Sequence, residues 1–472
     1  MTIPIPPLLG RKNKIHTMSK HVYIKTFGCQ MNERDSEIMV QLLSQSGYIA
    51  VGEQTDADLV ILNTCSIRAK AEQKVFSLLG MLRKQKKQQP DLRIAVAGCV
   101  AQQEGEQIFR RMPHVDIVVG TQQLYQLPEM LGRLERKETT REISCGLDKE
   151  FTIPPFQKLL KETSAPVQNQ PAEFRKFVTI MQGCNNYCSY CVVPTTRGRE
   201  ISRPVADILE EVQLLIARGI KEITLLGQNV NSYGCTNAVA ENPTGFADLL
   251  KMVAEIPGVQ RLRFTTSNPQ DLSTELMQCF RELPNLCPQF HLPVQAGSNA
   301  VLKKMQRKYT RETYLEKVAE LRSYRPDIAI CTDVIVGFPG ETEEDFAQTM
   351  DLLETVRFHG SYSFKYSDRP HTRSADFSDK VDEEVKGERL QRFQSRQDII
   401  SLERNQEFLG KTVEVMVESC SSSKAQGRTR TNHIVHFTSP TDLLPGDLAL
   451  VTVTHAGQHS LQGEPVTTEN SL

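Results

Sequence analysis

The sequence predicts an α/β protein built in three parts. Short apolar runs alternate with helical patterns over residues 20–136, which is typical of a small parallel sheet covered by helices. The same alternation returns six times on a larger scale over 174–404 and predicts a partial (β/α)6 barrel of the TIM-like kind. Short β-type runs separated by Gly, Pro and Ser fill 405–470 and predict a small antiparallel β-barrel.

Length and composition agree with several domains outside a membrane. The chain has 472 residues, which is longer than a domain built on a single hydrophobic core usually is. No run approaches about eighteen consecutive apolar residues, so no membrane partner is expected and the predicted location is the cytoplasm. Residues 1–19 are broken by proline and carry no positive charge ahead of their apolar stretch, which predicts a disordered tail and not a signal peptide. Because the formal net charge is −1, any surface for a polyanion must be a local patch.

In the first part, short apolar runs predict strands, and the stretches between them predict helices. Because a helix lies between successive runs, the strands are expected to pair in parallel. The predicted strands are Val22–Phe27, Leu59–Leu62, Ile94–Ala97 and, as a possible fourth, Ile117–Val119; the predicted helices include Ser36–Ser46 and Lys70–Lys86. Residues 137–173 mix charge with several prolines and lack periodicity, which predicts a linker.

The second part repeats strand and helix on a larger scale, so function is expected at the carboxyl ends of its strands. The predicted strands are Phe177–Met181, Glu222–Leu226, Arg261–Thr266, Gln289–Val294, Ile328–Val336 and Ser361–Tyr366, with amphipathic helices such as Val205–Arg218 and Asn299–Arg322 between them. In the third part, the predicted strands are Thr412–Glu418, Gly427–Arg430, His433–Phe437 and Asp447–His455.

A cysteine loop follows the first predicted barrel strand. The chain has 12 cysteines and no secretion signal, which indicates metal binding or catalysis in a reducing compartment and not a disulfide framework. Cys184, Cys188 and Cys191 form a Cys-x3-Cys-x2-Cys motif. Three such thiolates can bind three irons of a 4Fe-4S cluster and leave the fourth iron open. Zinc is the alternative, but structural zinc takes four protein ligands, and no fourth Cys or His lies nearby.

A second set of cysteines occupies equivalent places in the first part. Cys29, Cys65 and Cys99 each follow an apolar strand and precede a helix, at similar intervals along the chain. Because the carboxyl ends of parallel strands meet at one edge of a sheet, the three thiols are expected to converge. The alternative is three small buried residues at strand ends, a role that suits cysteine.

The barrel motif, with an aromatic residue before its last cysteine, resembles the signature of radical S-adenosylmethionine (SAM) enzymes. The resemblance implies that Cys184, Cys188 and Cys191 hold a 4Fe-4S cluster whose open iron binds SAM, with Tyr190 beside the adenine. Further SAM contacts are expected at the ends of later strands. The candidates are Gln228, Asn229, Ser267, Gln295, Gly297, Asp333 and Gly337. His291 is interpreted as a hydrogen-bonded histidine inside the barrel and not as a ligand.

The sequence around the second set is similar to the amino-terminal domain of the methylthiotransferase family. That resemblance implies a second 4Fe-4S cluster on Cys29, Cys65 and Cys99. Six stretches resemble the branch that acts on N6-isopentenyladenosine next to the tRNA anticodon: Gln30–Glu37, Asn63–Arg68, Tyr190–Pro194, Arg197–Glu200, Ser202–Pro204 and Leu226–Gly234. The reaction implied is 2-methylthiolation, with one SAM as methyl donor and another as radical source. The two clusters and SAM would carry this chemistry, and no side chain is assigned as a catalytic acid or base.

The third part resembles the TRAM domain, a small RNA-binding barrel. Lys424, Arg428 and Arg430 are predicted to lie on one hairpin, where they would contact phosphates. A more ambiguous basic patch comprises Arg83, Lys84, Lys86 and Lys87, and Arg203 or neighbouring arginines are candidates to steer anticodon phosphates. The implied partners are the tRNA anticodon stem-loop, an electron donor such as a flavodoxin or ferredoxin, and a protein that donates iron–sulfur units or sulfur.

Two other functions stay open from the sequence. The first is a methylthiotransferase that acts on a protein side chain. The second is an iron–sulfur electron carrier or RNA-binding scaffold without catalysis, which would have no need of a cysteine motif that leaves one iron open.

Overall fold

The first part forms a six-stranded parallel sheet. A computed structural model describes residues 20–66, 69–148, 150–159, 173–235, 244–421, 423–439 and 443–466. The predicted tail at 1–19 and residues 160–172 of the predicted linker lie outside these ranges. In chain order the elements are β1 Lys20–Thr26, α1 Gln30–Ser44, β2 Tyr48–Ala50, β3 Leu59–Thr64, α2 Ala69–Gln88, β4 Arg93–Gly98, α3 Cys99–Glu104, α4 Gln107–Arg111, β5 Ile117–Val119, α5 Leu127–Glu135 and β6 Glu142–Ser144.

Alternation along the strands explains why this sheet is buried on both faces. Its strand order is β2-β1-β3-β4-β5-β6, and every pair is parallel, as predicted. Leu59 and Ile61 pack into the core on one face, whereas Val60 and Leu62 pack into the core on the other. The sequence did not reveal β2 or β6, since three residues are too few to show a two-residue period. Strand β6 lies within the stretch 137–173 and adds to the sheet edge beside β5.

The second part is an open barrel of six parallel strands, and the predicted (β/α)6 arrangement is confirmed. Two three-stranded halves, β7-β10-β11 and β12-β13-β14, meet where Leu262 exchanges main-chain hydrogen bonds with Asn285 and Cys287. The elements are β7 Arg175–Thr179, β8 Met181–Gln182, α6 Val193–Thr196, β9 Ile201–Ser202, α7 Val205–Ala217, β10 Glu222–Leu226, α8 Phe246–Ala254, β11 Arg261–Thr265, α9 Thr274–Glu282, β12 Gln289–His291, α10 Asn299–Lys304, α11 Arg311–Tyr324, β13 Ala329–Val336, α12 Glu343–Val356, β14 Gly360–Lys365 and α13 Glu383–Gln406.

One predicted helix of the barrel is wrong. The stretch Asn299–Arg322 forms two helices, α10 and α11, because the backbone turns at Gln306, whose φ is +59°. Thr310 then caps α11 by accepting a hydrogen bond from the Thr313 N–H, a local arrangement that begins a new helix. The break turns the segment between the helices toward the barrel mouth.

The third part is a closed five-stranded barrel, so the predicted small barrel is confirmed. Four strand pairs are antiparallel, but β17 and β19 pair in parallel, which the sequence did not indicate. Its order is β15-β16-β17-β19-β18, and a fifth strand was not predicted. The strands are β15 Thr412–Ser421, β16 Lys424–Thr429, β17 Ile434–Thr438, β18 Leu448–Ala456 and β19 Leu461–Pro465.

Buried ion pairs join the first part to the large barrel. Glu211 of α7 is fully buried and binds Arg34 of α1 as well as Arg203, whose Nη1 lies 2.6 Å from the Glu211 Oε2. Lys176 of β7 binds Glu37 of α1 at 3.0 Å. Removing one partner from such a pair would leave an uncompensated buried charge, so these contacts fix how the two parts sit against each other.

The small barrel covers the amino-terminal ends of the large-barrel strands. Arg261, at the start of β11, is 1% exposed and donates hydrogen bonds to the Arg428 carbonyl oxygen (2.7 Å) and Glu414 Oε1 (2.8 Å). Arg263 donates to the carbonyl oxygens of Thr429 and Arg430 at 3.0 and 2.9 Å. The third part therefore lies at the opposite end of the barrel from the carboxyl ends of the strands. None of the helices among the described residues is both long and apolar enough to span a bilayer.

Replacing Arg261→Ala should lower the free energy of unfolding by about 1–3 kcal/mol, because it leaves the Arg428 carbonyl oxygen without its donor and removes the partner of the half-exposed Glu414 carboxylate. Urea denaturation followed by circular dichroism measures the change. Arg281→Ala is the matched control, since Arg281 is an exposed arginine paired with Glu282 and should cost almost nothing. Equal stability of the two variants would show that Arg261 does not secure the small barrel.

Candidate active site

The first cysteine loop runs from β8 to α6, at the carboxyl end of the barrel strands. Gly183 precedes it with a φ of +82°, and a Cβ at this position would lie 2.0 Å from the Arg199 carbonyl oxygen, so only glycine fits. The Cys184 N–H donates to the Gly198 carbonyl oxygen at 3.3 Å, and the Gly183 N–H donates to the side chain of Gln228. The loop is thus tied to the chain that follows it and to the end of β10.

Burial makes free thiolates costly in this loop. It raises the pKa of Cys184 to about 11 and the pKa of Cys191 to about 12. Two donors reach sulfur atoms of this loop: Arg307 Nη1 donates to Cys188 Sγ at 3.3 Å, and the Val193 N–H donates to Cys191 Sγ at 3.5 Å. Iron binding deprotonates thiols of this kind, so the three cysteines and their donors fit a metal-bound state.

Arg307 is a candidate that the sequence analysis missed, because the wrongly predicted helix Asn299–Arg322 hid it. Its Nη2 donates to Asn268 Oδ1 at 3.3 Å, and its Nε donates to the Tyr309 hydroxyl at 2.8 Å. These contacts hold a cation beside the cysteine loop. The cap at Thr310 was the local signal that could have revealed the helix break.

Three predicted SAM residues carry buried polar atoms that lack a partner within the described part of the chain. They are Gln228 Nε2, Asn229 Oδ1 and Ser267 Oγ, all after the carboxyl ends of β10 and β11. A buried polar atom without a hydrogen bond costs free energy, and a polar ligand would satisfy it. Thr266 and Gln295 both have a φ of +71°, a strained backbone that tends to occur at functional sites. This edge of the barrel fits a polar ligand.

The two predicted glycines have close protein neighbours. A Cβ at Gly297 would lie 2.5 Å from the Thr349 Cα of α12, and a Cβ at Gly337 would lie 2.3 Å from the Lys386 Cγ of α13. Helix packing thus explains why glycine stands at both positions, and contact with SAM stays a prediction for each.

Asp333 and Tyr190 have well-defined neighbours as well. Asp333 Oδ1 lies 2.9 Å from His291 Nε2, so the histidine is hydrogen-bonded inside the barrel, although its Nδ1 lacks a partner among the described residues. The ring of Tyr190 packs edge-on against Phe338, with ring centroids 6.4 Å apart. Their roles toward SAM also stay predictions.

Glu200 is a second candidate that the sequence did not reveal. It is 7% exposed, its Oε2 accepts a hydrogen bond from the Ser232 hydroxyl at 2.7 Å, and its Oε1 has no partner within the described ranges. Burial raises the pKa of Glu200 to about 7, and the negative charge of Asp271 adds to the effect. The Glu200 N–H donates to Asn185 Oδ1 at 3.2 Å, which places this carboxyl beside the first cysteine loop.

The second cysteine set lies at the carboxyl edge of the first sheet. Cys29 caps α1, Cys65 follows β3 and Cys99 begins α3. Asn32 Nδ2 donates to the Phe27 carbonyl oxygen (2.9 Å) and to the Thr64 carbonyl oxygen (2.8 Å), so it links the loop of Cys29 to the loop of Cys65. A Cβ at Gly28 would lie 2.8 Å from Cys65 Sγ, so glycine is required for this approach.

The thiols of the second set differ in pKa. A hydrogen bond with Cys65 and the positive charge of Arg197 lower the pKa of Cys29 to about 6, against the opposing effect of burial. Burial raises the pKa of Cys99, which Arg197 partly counteracts. The lowered pKa of Cys29 favours the thiolate form that metal binding requires.

Within the described residues, no three His, Cys, Asp or Glu side chains are arranged as the ligands of a single metal ion. A mononuclear zinc site needs all its ligands within about 2.0–2.3 Å of one point. A cubane cluster differs, because each thiolate binds a different iron. The lack of a single-ion site among the described residues is therefore compatible with clusters on the two cysteine sets.

The predicted phosphate-contacting role of Arg203 is wrong. Its guanidinium is 3% exposed and is fully engaged by Asp207, by Glu211 and by the Thr179 carbonyl oxygen at 2.6 Å. These partners all belong to the large barrel, and a guanidinium buried among them cannot reach an RNA backbone.

The predicted basic hairpin is only partly available to RNA. Arg428 Nε donates to Glu418 Oε1 at 3.0 Å, and Arg430 donates to the carbonyl oxygens of Pro284 and Leu286 in the large barrel. Lys424 alone of the three is exposed.

The other predicted basic patch lies far from the cysteines. Lys86 pairs with Asp116, whereas Arg83, Lys84 and Lys87 are exposed. They occupy the end of α2, and therefore lie at the amino-terminal edge of the sheet, opposite the edge that carries the cysteines.

A partial barrel with an open Cys-x3-Cys-x2-Cys loop at the carboxyl end of its first strand defines an enzyme of the radical SAM class. Residues 178–353 match the Radical SAM superfamily, and residues 21–120 match a family described as Uncharacterized protein family UPF0004.

Solved structures support the fold. The radical SAM methyltransferase TsrM from Kitasatospora setae, with tryptophan substrate and a SAM analog bound, is similar with a TM-score of 0.54, at 14% identity over 76% of this chain and 75% of that chain. The cobalamin-dependent SAM radical enzyme OxsB has a TM-score of 0.51, at 13% identity over 76% of this chain and 55% of its own. At such low identity these likenesses concern the fold alone.

Relatives of known name are much closer in sequence. The tRNA-2-methylthio-N(6)-dimethylallyladenosine synthase of Desulfotalea psychrophila is 60% identical over 94% of this chain and 98% of that protein. The protein of the same name from Geobacter sulfurreducens is 48% identical over 96% of this chain and 98% of its own length. The chain belongs to the tRNA-2-methylthio-N6-dimethylallyladenosine synthase family.

The raised pKa of Glu200 makes stability depend on pH. With an ordinary pKa of 4.5 when unfolded and about 7 when folded, the carboxyl stabilises the fold while protonated, and that contribution is lost as the pH rises through 7. Relative to wild type, Glu200→Gln should therefore gain up to about 3 kcal/mol in the free energy of unfolding between pH 5 and pH 8.

Urea denaturation at the two pH values measures this difference. Glu255→Gln, at an exposed glutamate after α8, serves as the control and should show no such gain. A Glu200→Gln variant with the same free energy of unfolding as wild type at both pH values would contradict the raised pKa of Glu200.

Proposed function

We propose that the chain is a tRNA methylthiotransferase that converts N6-dimethylallyl (isopentenyl) adenosine next to the anticodon into its 2-methylthio derivative. One observation carries the proposal beyond the family: two sets of three cysteines lie at the carboxyl edges of two parallel sheets that contact each other. Thr121 and Gln122, after β5 of the first sheet, donate to the carbonyl oxygens of Thr196 and Arg197 at 2.5 and 3.5 Å. Those two residues directly follow the barrel cysteine loop.

Each set of cysteines would hold one 4Fe-4S cluster. Cys184, Cys188 and Cys191 supply three ligands and leave one iron open for SAM. When bound, the clusters and SAM supply the methyl group, the sulfur and a carbon radical that can remove hydrogen from an aromatic carbon that acid–base chemistry leaves unactivated. Cys29, Cys65 and Cys99 would hold the second cluster, on the side from which sulfur reaches the substrate.

The protein's own residues hold and orient these groups. Arg307 donates a hydrogen bond to Cys188 Sγ and is itself held by Asn268 and Tyr309. The unpartnered atoms of Gln228 and Ser267 would meet the polar groups of SAM. The hydrogen bonds of Thr121 and Gln122 to the carbonyl oxygens of Thr196 and Arg197 hold the chain after the barrel cysteines against the first sheet, and would let one base reach both cysteine sites.

The reaction implies the remaining partners. Radical formation consumes an electron, so a donor such as a flavodoxin or ferredoxin must supply it. Each turnover removes sulfur from the second site, so a sulfur or iron–sulfur donor protein must restore it. The substrate is tRNA, and we therefore place the enzyme in the cytoplasm.

The two cysteine sets should separate by role. Changing Cys29, Cys65 and Cys99 together to Ala should abolish methylthiolated nucleoside but keep 5′-deoxyadenosine formation, because these residues take no part in binding the SAM that yields the radical. Changing Cys184, Cys188 and Cys191 to Ala should abolish both products and remove one of the two clusters. One anaerobic reaction serves both readouts, with chromatography for 5′-deoxyadenosine and mass spectrometry for the nucleoside.

Cys145→Ala is the matched control, since Cys145 follows β6 at the same sheet edge yet binds the Ala101 carbonyl oxygen at 3.3 Å. Both products should persist in it. Methylthiolation retained by the variant with Cys29, Cys65 and Cys99 changed to Ala would overturn the proposed function.

The small barrel is proposed to act as a TRAM-like RNA-binding domain, with Lys424 as its available phosphate contact. Lys424→Ala should weaken tRNA binding and reduce by about 1 the slope of log affinity against log salt, because one phosphate contact is lost. Arg218→Ala, an exposed cation after α7, is the control and should leave the slope unchanged. Filter binding at several salt concentrations gives both slopes, and equal slopes in the wild type and the Lys424 variant would exclude this contact.

A further inference from the structure

One buried arginine of the large barrel reaches into the second cysteine site. Arg197 directly follows α6, the single helical turn that begins two residues after Cys191. Its side chain crosses to helix α1 of the first part, where Nη2 donates to Asn32 Oδ1 at 3.0 Å and to Asp35 Oδ2 at 2.7 Å. It is 3% exposed. A residue that follows the barrel cysteine loop in sequence thus lies in space at the other cysteine site.

The second guanidinium nitrogen of Arg197 is available for that site. Nη1 is buried and has no hydrogen-bond partner among the described residues, a costly state for a charged donor. Although burial lowers the pKa of Arg197, the negative charges of Asp35, Cys99 and Cys29 together raise it above its ordinary value. Asp35 binds one side of the guanidinium, and Cys99 and Cys29 lie close enough for their charges to act on Arg197.

Three cysteine thiolates bound to a cluster place net negative charge in a buried site, and such charge needs compensation. We propose that Arg197 is a positioning residue of the second cysteine site, which compensates its thiolate charge from the barrel domain and so completes that site only when the two domains are docked. This inference rests on the proposed function, because it requires a cluster on Cys29, Cys65 and Cys99.

The charge of Arg197 should govern how readily that cluster accepts an electron. A nearby positive charge favours the reduced, more negative form, so Arg197→Gln should shift the one-electron reduction potential to a more negative value. Arg197→Lys keeps the charge and should shift it less. Asp35→Asn removes the opposing negative charge and should shift the potential to a more positive value.

Opposite signs distinguish this role from a purely structural one. Loosened packing would admit water near the cluster in both the Arg197→Gln and the Asp35→Asn variants and would move both potentials the same way. Lys176→Gln is the matched control, because Lys176 is an interface cation whose ion pairs are with Glu37 and Glu173 and not with the cysteine loops. Its potential should equal that of the parent.

The experiment uses the full-length chain with Cys184, Cys188 and Cys191 changed to Ala, reconstituted anaerobically so that iron reports the second site alone. A redox titration monitored by electron paramagnetic resonance gives each potential. An unchanged potential in Arg197→Gln, or shifts of the same sign in Arg197→Gln and Asp35→Asn, would overturn the inference. Where Arg197→Gln fails to fold, the test is made with the other two variants. The inference then requires a positive shift of the potential in Asp35→Asn, and a positive shift of similar size in Arg197→Lys would overturn it.

Failure of the inference can be told apart from failure of the proposed function. A parent chain that retains iron but shows potentials indifferent to Arg197 and Asp35 would overturn the role of Arg197 and leave the two-cluster function standing. A parent chain that retains no iron would overturn both.

Discussion

Parallel pairing of strands is the constraint on which the rest of this structure depends. In both large sheets every strand runs the same way, so every carboxyl end reaches one edge. Cysteines that lie far apart in the chain, such as Cys29 and Cys99, are thereby brought to one place. The same constraint leaves the amino-terminal ends of the barrel free to receive the small barrel. The barrel cysteines and the small barrel thus lie at opposite ends of the same set of strands.

Buried arginines lie at both ends of the large barrel, and they bind different partners at each end. Arg261 and Arg263 donate to carbonyl oxygens of the small barrel and close the base of the large one. At the mouth, Arg307 lies beside a thiol of the barrel loop and Arg197 crosses to the other cysteine site. The guanidinium group suits such places, because it offers several donors in a fixed plane and stays charged when buried.

The contact between the two cysteine sites is short and direct. One turn of helix, α6, separates Cys191 from Arg197, so a shift of either domain would move the barrel loop and the second site together. The buried pairs of Glu211 with Arg34 and Arg203 resist such a shift. Domain docking and site geometry are therefore one structural feature in this protein.

The sequence by itself determined the three-part architecture, the six cysteines and their strand-end positions, because periodicity and motif spacing are local signals. It could not identify β2, β6 or the fifth strand of the small barrel, since short strands are decided by neighbouring strands that offer their hydrogen bonds. The sequence also could not show which arginines are exposed. Arg203 and Arg430 were predicted to contact phosphates, but both bind partners in other elements of the fold. Only the tertiary structure shows that Arg307 and Glu200 lie beside the barrel cysteine loop and that Arg197 lies beside the second cysteine set. Burial and charge depend on residues brought together from separate strands, and no local pattern records that proximity.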